Sequence, residues 1–160
     1  MLTQVQLKSI LNYDPETGIF NRLGTTRKTG WINDKGYLII EINGKNYRTN
    51  RLAWLWVHGY LPEFRIDHED RDKLNNKISN LRPCTNSQNM ANIGITNANS
   101  SGYRGVVWFK RDQCWRAQIM HNYKQIHIGY FKDIKEAAKA YNTKALELQG
   151  EFAYQNIIED

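Results

Sequence analysis

The side chains best suited to chemistry are concentrated between Phe64 and Asn92, where the chain reads RIDHEDRDKLNNKISNLRPCTNSQNMAN after the phenylalanine. An adjacent Asp67-His68 pair opens the tract, and asparagines follow at 75, 76, 80, 86, 89 and 92. Hydrolysis of a phosphodiester near neutral pH needs a base to deprotonate water and a divalent cation to neutralise the phosphate and the departing 3′ oxygen. Histidine supplies such a base, with an ordinary pKa near 6.5. A carboxylate and an amide oxygen are hard ligands that suit Mg²⁺, which keeps several of its own waters. Taken singly these residues carry little. His68 would serve equally as a loop histidine beside the solvated acids Glu69, Asp70 and Asp72, Asp67 as a turn residue, and Asn80 or Asn89 as a cap or a helix surface position.

The elements that must position this tract can be read from pattern. A short amphipathic stretch (Leu2, Val5, Leu7, Ile10, Leu11) precedes a turn over Tyr13-Asp14-Pro15-Glu16-Thr17-Gly18. Residues 36–49 predict a hairpin about Asn43-Gly44, the pair favoured where both turn positions take positive φ. Residues 50–60 predict a short buried helix stopped by Gly59 and Pro62. Phe64-Arg65-Ile66 reads as a strand running into Asp67-His68, and Thr85 with Gln88 forms a capping-box pattern at a second helix start. Residues 93–101, within a stretch rich in Asn, Ser and Gly, are expected to link a first domain (1–92) to a second (102–160). The second reads as three strands (Tyr103–Lys110, Trp115–Met120, Gln125–Tyr130) and one helix over Ile134–Gln149, whose apolar residues fall on one face.

Composition narrows the function classes. The chain has 160 residues with 22 Lys+Arg against 16 Asp+Glu, a net charge of +6 and a mean hydropathy of −0.68. These values fit neither a membrane protein nor a wholly disordered one. The longest apolar run falls far short of the ~20 residues a spanning helix needs. The opening residues lack the basic–apolar–small order of a signal peptide, so a cytoplasmic protein (host cytoplasm if phage-encoded) is expected. Cys84 and Cys114 form no CxxC pair, which speaks against a disulfide framework and a zinc site. A basic, aromatic-rich chain makes double-stranded DNA the first partner to test; no membrane and no obligate protein partner is inferred.

The tract resembles the HNH endonucleases with the ββα-metal fold, in the branch related to phage homing endonucleases. Asp67-His68 is followed by Asn80 twelve and Asn89 twenty-one residues after the histidine, and RLAWLWVHGYLPEF upstream and NLRPCTNSQN downstream agree as well. The resemblance implies an α+β protein whose Asp-His pair lies on a first strand, a middle Asn before a second strand, and a last Asn on a helix. It implies that His68 is the general base, that Asp67 and Asn89 hold one divalent metal, Mg²⁺ or Mn²⁺, and that Asn80 braces the loop. Asn50 stands where such proteins usually carry a histidine; an amide hydrogen-bonds but carries no proton at neutral pH.

The second half resembles the plant APETALA2/ethylene-response-factor DNA-binding domain, through YRGV (103–106), WRAQI (115–119), IGYF (128–131) and EAAKAYNTKALELQG (136–150). Such a domain lays a three-stranded antiparallel sheet, packed on one helix, in the major groove. The resemblance implies DNA contacts from Arg104 and Tyr141, while Val107, Gln125 and His127 replace residues the plant domains use, so plant-type sequence specificity is not expected. Charge and position on the strands add Lys110, Arg111, Arg116, Gln118, Lys124 and His127 as expected DNA contacts. Between 103 and 132 the cations Arg104, Lys110, Arg111, Arg116, Lys124 and Lys132 face only Asp112, the footprint of a phosphate binder. The expected function is metal-dependent cleavage of DNA; the alternative is a non-catalytic DNA-binding regulator derived from such a nuclease.

Overall fold

A computed structural model describes residues 1–159. It is an α+β protein of small antiparallel sheets and few helices, and it divides into two compact units, Met1–Cys84 and Thr85–Asp160.

The first unit opens with helix α1 (Gln4–Lys8), closed at its start by a Thr3/Gln6 capping box. Strands β1 (Leu11–Asp14) and β2 (Ile19–Arg22) form a hairpin across the Tyr13–Gly18 turn. Strands β3 (Trp31–Ile32), β4 (Leu38–Ile42) and β5 (Lys45–Arg48) form a three-stranded sheet in that order. The β4–β5 turn is the expected Asn43-Gly44 pair, with φ of 52° and 73°. Helix α2 (Thr49–His58) follows and ends at Gly59 in the left-handed conformation. Its buried Leu52, Ala53, Trp54 and Leu55 join Leu7, Leu11, Tyr13, Phe20, Ile40, Ile42, Ile66 and Leu81 in one apolar core. On that core lie β6 (Arg65–His68) and β7 (Leu81–Cys84), an antiparallel pair in which Asp67 stands opposite Arg82 and His68 opposite Leu81.

The second unit begins with helix α3 (Asn86–Asn92), whose Thr85/Gln88 capping box is formed in full. In chain order β6, β7 and α3 reproduce the strand–strand–helix succession expected of the tract. Strands β8 (Val106–Phe109), β9 (Cys114–His121) and β10 (Lys124–Phe131) make a sheet with β9 in the centre, and β10 carries a bulge between His127 and Gly129. Helix α4 (Ile134–Gln149) starts at Asp133, whose carboxylate accepts the Glu136 N–H. It buries Ala137, Ala138, Tyr141 and Ala145 against Val106, Ala117 and Ile119. Small residues let this helix approach the sheet closely, and Tyr141 lies over Gly105, where any Cβ would meet the tyrosine ring at 2.1 Å.

Residues 93–101 form no helix or strand, yet they are a built turn. Asn99 Oδ1 accepts the N–H groups of Ser101 and Gly102, and the Ser101 hydroxyl lies within hydrogen-bond distance of the Val106 carbonyl (2.7 Å) and the Tyr103 carbonyl (2.9 Å). The compact units divide before α3, ahead of the expected linker, because the Arg104 guanidinium ties the end of that helix to β8's approach by donating to the carbonyls of Met90, Ala91 and Ile93.

Candidate active site

His68 is the last residue of β6 and is 4% exposed. Its Nε2 lies 3.3 Å from Asn76 Oδ1, and its ring centroid is 6.2 Å from that of Tyr37. Burial holds the imidazole below its ordinary pKa, against the Asn76 hydrogen bond and the Asp67, Asp70 and Asp72 carboxylates, which push it up. The shift favours the neutral ring, the state a general base requires.

Asp67 is buried too, and Arg82 from β7 holds it across the strand pair. Arg82 Nε and Nη2 each sit 3.1 Å from Asp67 Oδ2. A regular strand sends neighbouring side chains to opposite faces, and Asp67 and His68 accordingly meet different partners, Arg82 and Asn76. The strand ends at His68, and the chain turns away through Arg71 in the left-handed conformation, with φ of 69°.

Asn80 closes the loop that follows. Its Oδ1 accepts the Asp70 N–H at 3.0 Å, its Nδ2 donates to Asp70 Oδ1 and to the Asn75 carbonyl, and its own carbonyl accepts the Glu69 N–H. These bonds hold the backbone just after His68. Asn89 lies in α3, partly buried, in the second compact unit. Asn50, in the first turn of α2, is 4% exposed, and its Oδ1 has no hydrogen-bond partner among the described residues.

The profile of the HNH endonuclease family matches residues 47–91, the segment that carries Asn50, Asp67, His68, Asn76, Asn80, Arg82 and Asn89. An uncharacterized HNH endonuclease of Acanthamoeba polyphaga mimivirus is 32% identical over 130 residues, 81% of this chain and 67% of that protein. This chain belongs to the HNH endonuclease family. Protein 3.8 of Escherichia phage T7 is 34% identical over 103 residues, 63% of this chain and 84% of the phage protein. The structure also resembles that of the HNH homing endonuclease I-HmuI, with a TM-score of 0.42 and 19% identity over 88% of this chain and 85% of that one. APETALA2-like protein 2 of Oryza sativa is 37% identical over 51 residues, 32% of this chain and 12% of the plant protein.

In this HNH endonuclease the residues that surround His68 are ones that type and spacing alone do not single out. Asn76, Asp70 and Arg82 are the direct partners of His68, Asn80 and Asp67, and Tyr37 carries the cations of Arg48 (4.3 Å) and Lys73 (5.0 Å) against its ring. In the sequence Asn75-Asn76 is only part of an amide-rich loop. No group of three His, Cys, Asp or Glu side chains able to hold a metal ion occurs among the described residues. No helix among them is long and apolar enough to cross a membrane.

The expected DNA contacts fall into two groups. Arg116 and Gln118 alternate with the buried Ala117 and Ile119 on β9, and pair across the sheet with Tyr130 and His127. With Gln125 they line a shallow depression of about 290 Å³ on the face away from α4. Lys110, Lys124 and Arg111 are exposed, Arg111 in an ion pair with Asp112. Arg104 and Tyr141 have partners within the fold: the Arg104 guanidinium donates to the carbonyls of Met90, Ala91 and Ile93, and Tyr141 is 1% exposed beneath Gly105.

Proposed function

We propose that this endonuclease is a homing-type enzyme that hydrolyses DNA with one divalent metal, using His68 as general base. The reading is carried by one observation: a buried histidine beside a buried aspartate, at the end of a strand inside the segment matched to the family. His68 would take the proton from the attacking water, and Asn80 would keep the backbone after it from drifting. The donor chemistry fits a hard cation. Asp67 offers a carboxylate that Arg82 grips through Oδ2; Asn89, the second ligand that the family resemblance implies, has an amide oxygen of the same hard character. A bound Mg²⁺ or Mn²⁺ supplies charge neutralisation at the phosphate and the leaving oxygen. Arg82 fixes the Asp67 carboxylate and offsets the cost of burying it.

The outer face of the β8–β10 sheet, with Arg116, Gln118, Lys124 and His127, is proposed to hold the duplex, supported by the likeness to the plant domain and by its excess of cations. A second reading, a non-catalytic DNA-binding regulator, is favoured by Asn50 in place of the usual histidine. Incubating the protein with supercoiled plasmid, with Mg²⁺ or Mn²⁺ and with EDTA, separates the two. The nuclease nicks or linearises plasmid only with metal, and His68→Ala lowers the rate ~10²–10⁴-fold with DNA affinity nearly intact. Absence of cleavage under every metal condition would establish the regulator instead.

A further inference from the structure

Asn76 is an asparagine with no freedom to turn. It is 1% exposed, and its Nδ2 donates to the Leu74 carbonyl at 3.0 Å. Flipping the amide would set Oδ1 against that carbonyl, two acceptors face to face in a buried site. The network therefore assigns Oδ1 to the side facing His68, at 3.3 Å from Nε2. An amide oxygen only accepts, so Nε2 must carry the hydrogen. In a neutral imidazole the hydrogen bond made by one nitrogen decides which of the two keeps the lone pair.

The backbone of Asn76 is held as firmly as its side chain. Tyr13, from β1, donates its buried hydroxyl to the Asn76 carbonyl at 2.7 Å. The Ile78 N–H donates to the Pro15 carbonyl at 3.2 Å. Gly18, with φ of 73°, lets the β1–β2 turn lie directly on this backbone: a Cβ there would stand 2.6 Å from the Asn76 carbonyl carbon and 2.5 Å from the Lys77 nitrogen. The hairpin thus meets residues 76–78 through a side chain, a carbonyl and a glycine.

We infer that Asn76 is a positioning residue that fixes the Nε2–H tautomer of His68, so that Nδ1 is the nitrogen that receives the proton from water, and that the β1–β2 turn exists in this fold to hold Asn76 in place. The inference deepens the reading of His68 as general base and rests on it for its catalytic meaning. The tautomer itself is independent of activity.

The test is long-range ¹H–¹⁵N correlation spectroscopy on the full chain labelled at histidine, with His68 assigned by its loss in His68→Ala. The expected spectrum has a protonated, pyrrole-type Nε2 and an unprotonated, pyridine-type Nδ1. Asn76→Ala should mix the tautomers and lower kcat about 10²-fold with KM for plasmid unchanged. Tyr13→Phe, which removes a single hydroxyl, should lower kcat in the same sense with a smaller amplitude, and it decides the role of the turn if Asn76→Ala fails to fold. A wild-type His68 protonated on Nδ1 would overturn the inference, as would Asn76→Ala or Tyr13→Phe with unchanged tautomer and kcat. Wild-type cleavage by His68→Ala is a different result: it removes the general base, and the spectrum still reads the tautomer.

Discussion

Asp70 and Asn80 hold each other from both ends. The Asp70 N–H donates to Asn80 Oδ1 at 3.0 Å, and Asn80 Nδ2 donates back to Asp70 Oδ1 at 2.9 Å. The pair ties the residue two positions after His68 to the residue just before β7, so the nine-residue excursion between them cannot open without breaking both bonds. Asn80 makes these bonds with a partner that the sequence shows only as one of several acids.

Asn80→Ala removes the Asp70 pair and the bond to the Asn75 carbonyl, leaving a backbone N–H and a carbonyl to find other partners. At about 1 kcal/mol per neutral hydrogen bond and more for one to a carboxylate, the expected loss is about 2–4 kcal/mol. Urea unfolding measures it. Cleavage should fall in step with loop order, so a variant of wild-type stability would show that the brace carries no weight.

Asp70 gives the loop a pH dependence whose direction can be worked out. Burial raises its pKa, but the hydrogen bonds from Asn75, Asn80 and the Asp72 N–H outweigh that and, with His68 nearby, hold it below the ordinary value of 3.8. A carboxyl depressed on folding stabilises the native state above its unfolded pKa, and the contribution is lost as pH falls through the lower folded value. Melting temperature should therefore drop between about pH 4 and pH 2 more steeply in the wild type than in Asp70→Asn. Parallel curves would remove Asp70 from the balance.

The local elements are legible in the sequence because short-range signals determine them. Asn43-Gly44 admits the positive φ its turn needs, Thr85 and Gln88 satisfy each other's backbone, and the apolar face over Ile134–Gln149 has only one way to be buried. His68, Asp67 and Asn80 draw notice in the sequence by type and spacing. Their partners do not, because Asn76 and Arg82 become neighbours of His68 and Asp67 only through loop closure and strand register, which no local pattern encodes. The surroundings of Tyr141 and Arg104 are hidden for a related reason. A Tyr on a helix and an Arg before a strand look the same in sequence whether they face solvent or, as here, a glycine and a helix end.

Arg82 and Asp67 separate stability from chemistry. Arg82→Met takes away the guanidinium on Oδ2 and should cost about 3–5 kcal/mol, as breaking a buried ion pair does. The double variant Asp67→Leu/Arg82→Met exchanges both charges for apolar groups and should recover most of that stability. It should nonetheless cut no plasmid, since the carboxylate proposed to hold the metal is gone. Mg²⁺ or Mn²⁺ should raise the melting temperature of the wild type and leave that of the double variant unmoved. A double variant that still cleaves would take Asp67 out of the reaction.

The two arginines of the second unit make opposite predictions, because one is bonded to its own fold and the other is presented on the sheet. Arg104→Ala removes donors from the Met90, Ala91 and Ile93 carbonyls; it should lower the stability of the second unit and leave the salt dependence of DNA binding unchanged. Arg116 shares the outer sheet face with Gln118, His127 and Tyr130, and its Nε has no hydrogen-bond partner among the described residues. Lys124 lies exposed at the start of the neighbouring strand. Removing a cation that neutralises one phosphate should reduce the slope of log affinity against log salt by about 0.9, so Arg116→Ala/Lys124→Ala should flatten the slope by up to about 2 with the melting temperature nearly unchanged. Binding of a DNA duplex at several salt concentrations, beside thermal unfolding of each variant, reads both quantities. If Arg104→Ala changed the slope and the double variant did not, the DNA would lie on the Arg104 side and not on the outer face of the sheet.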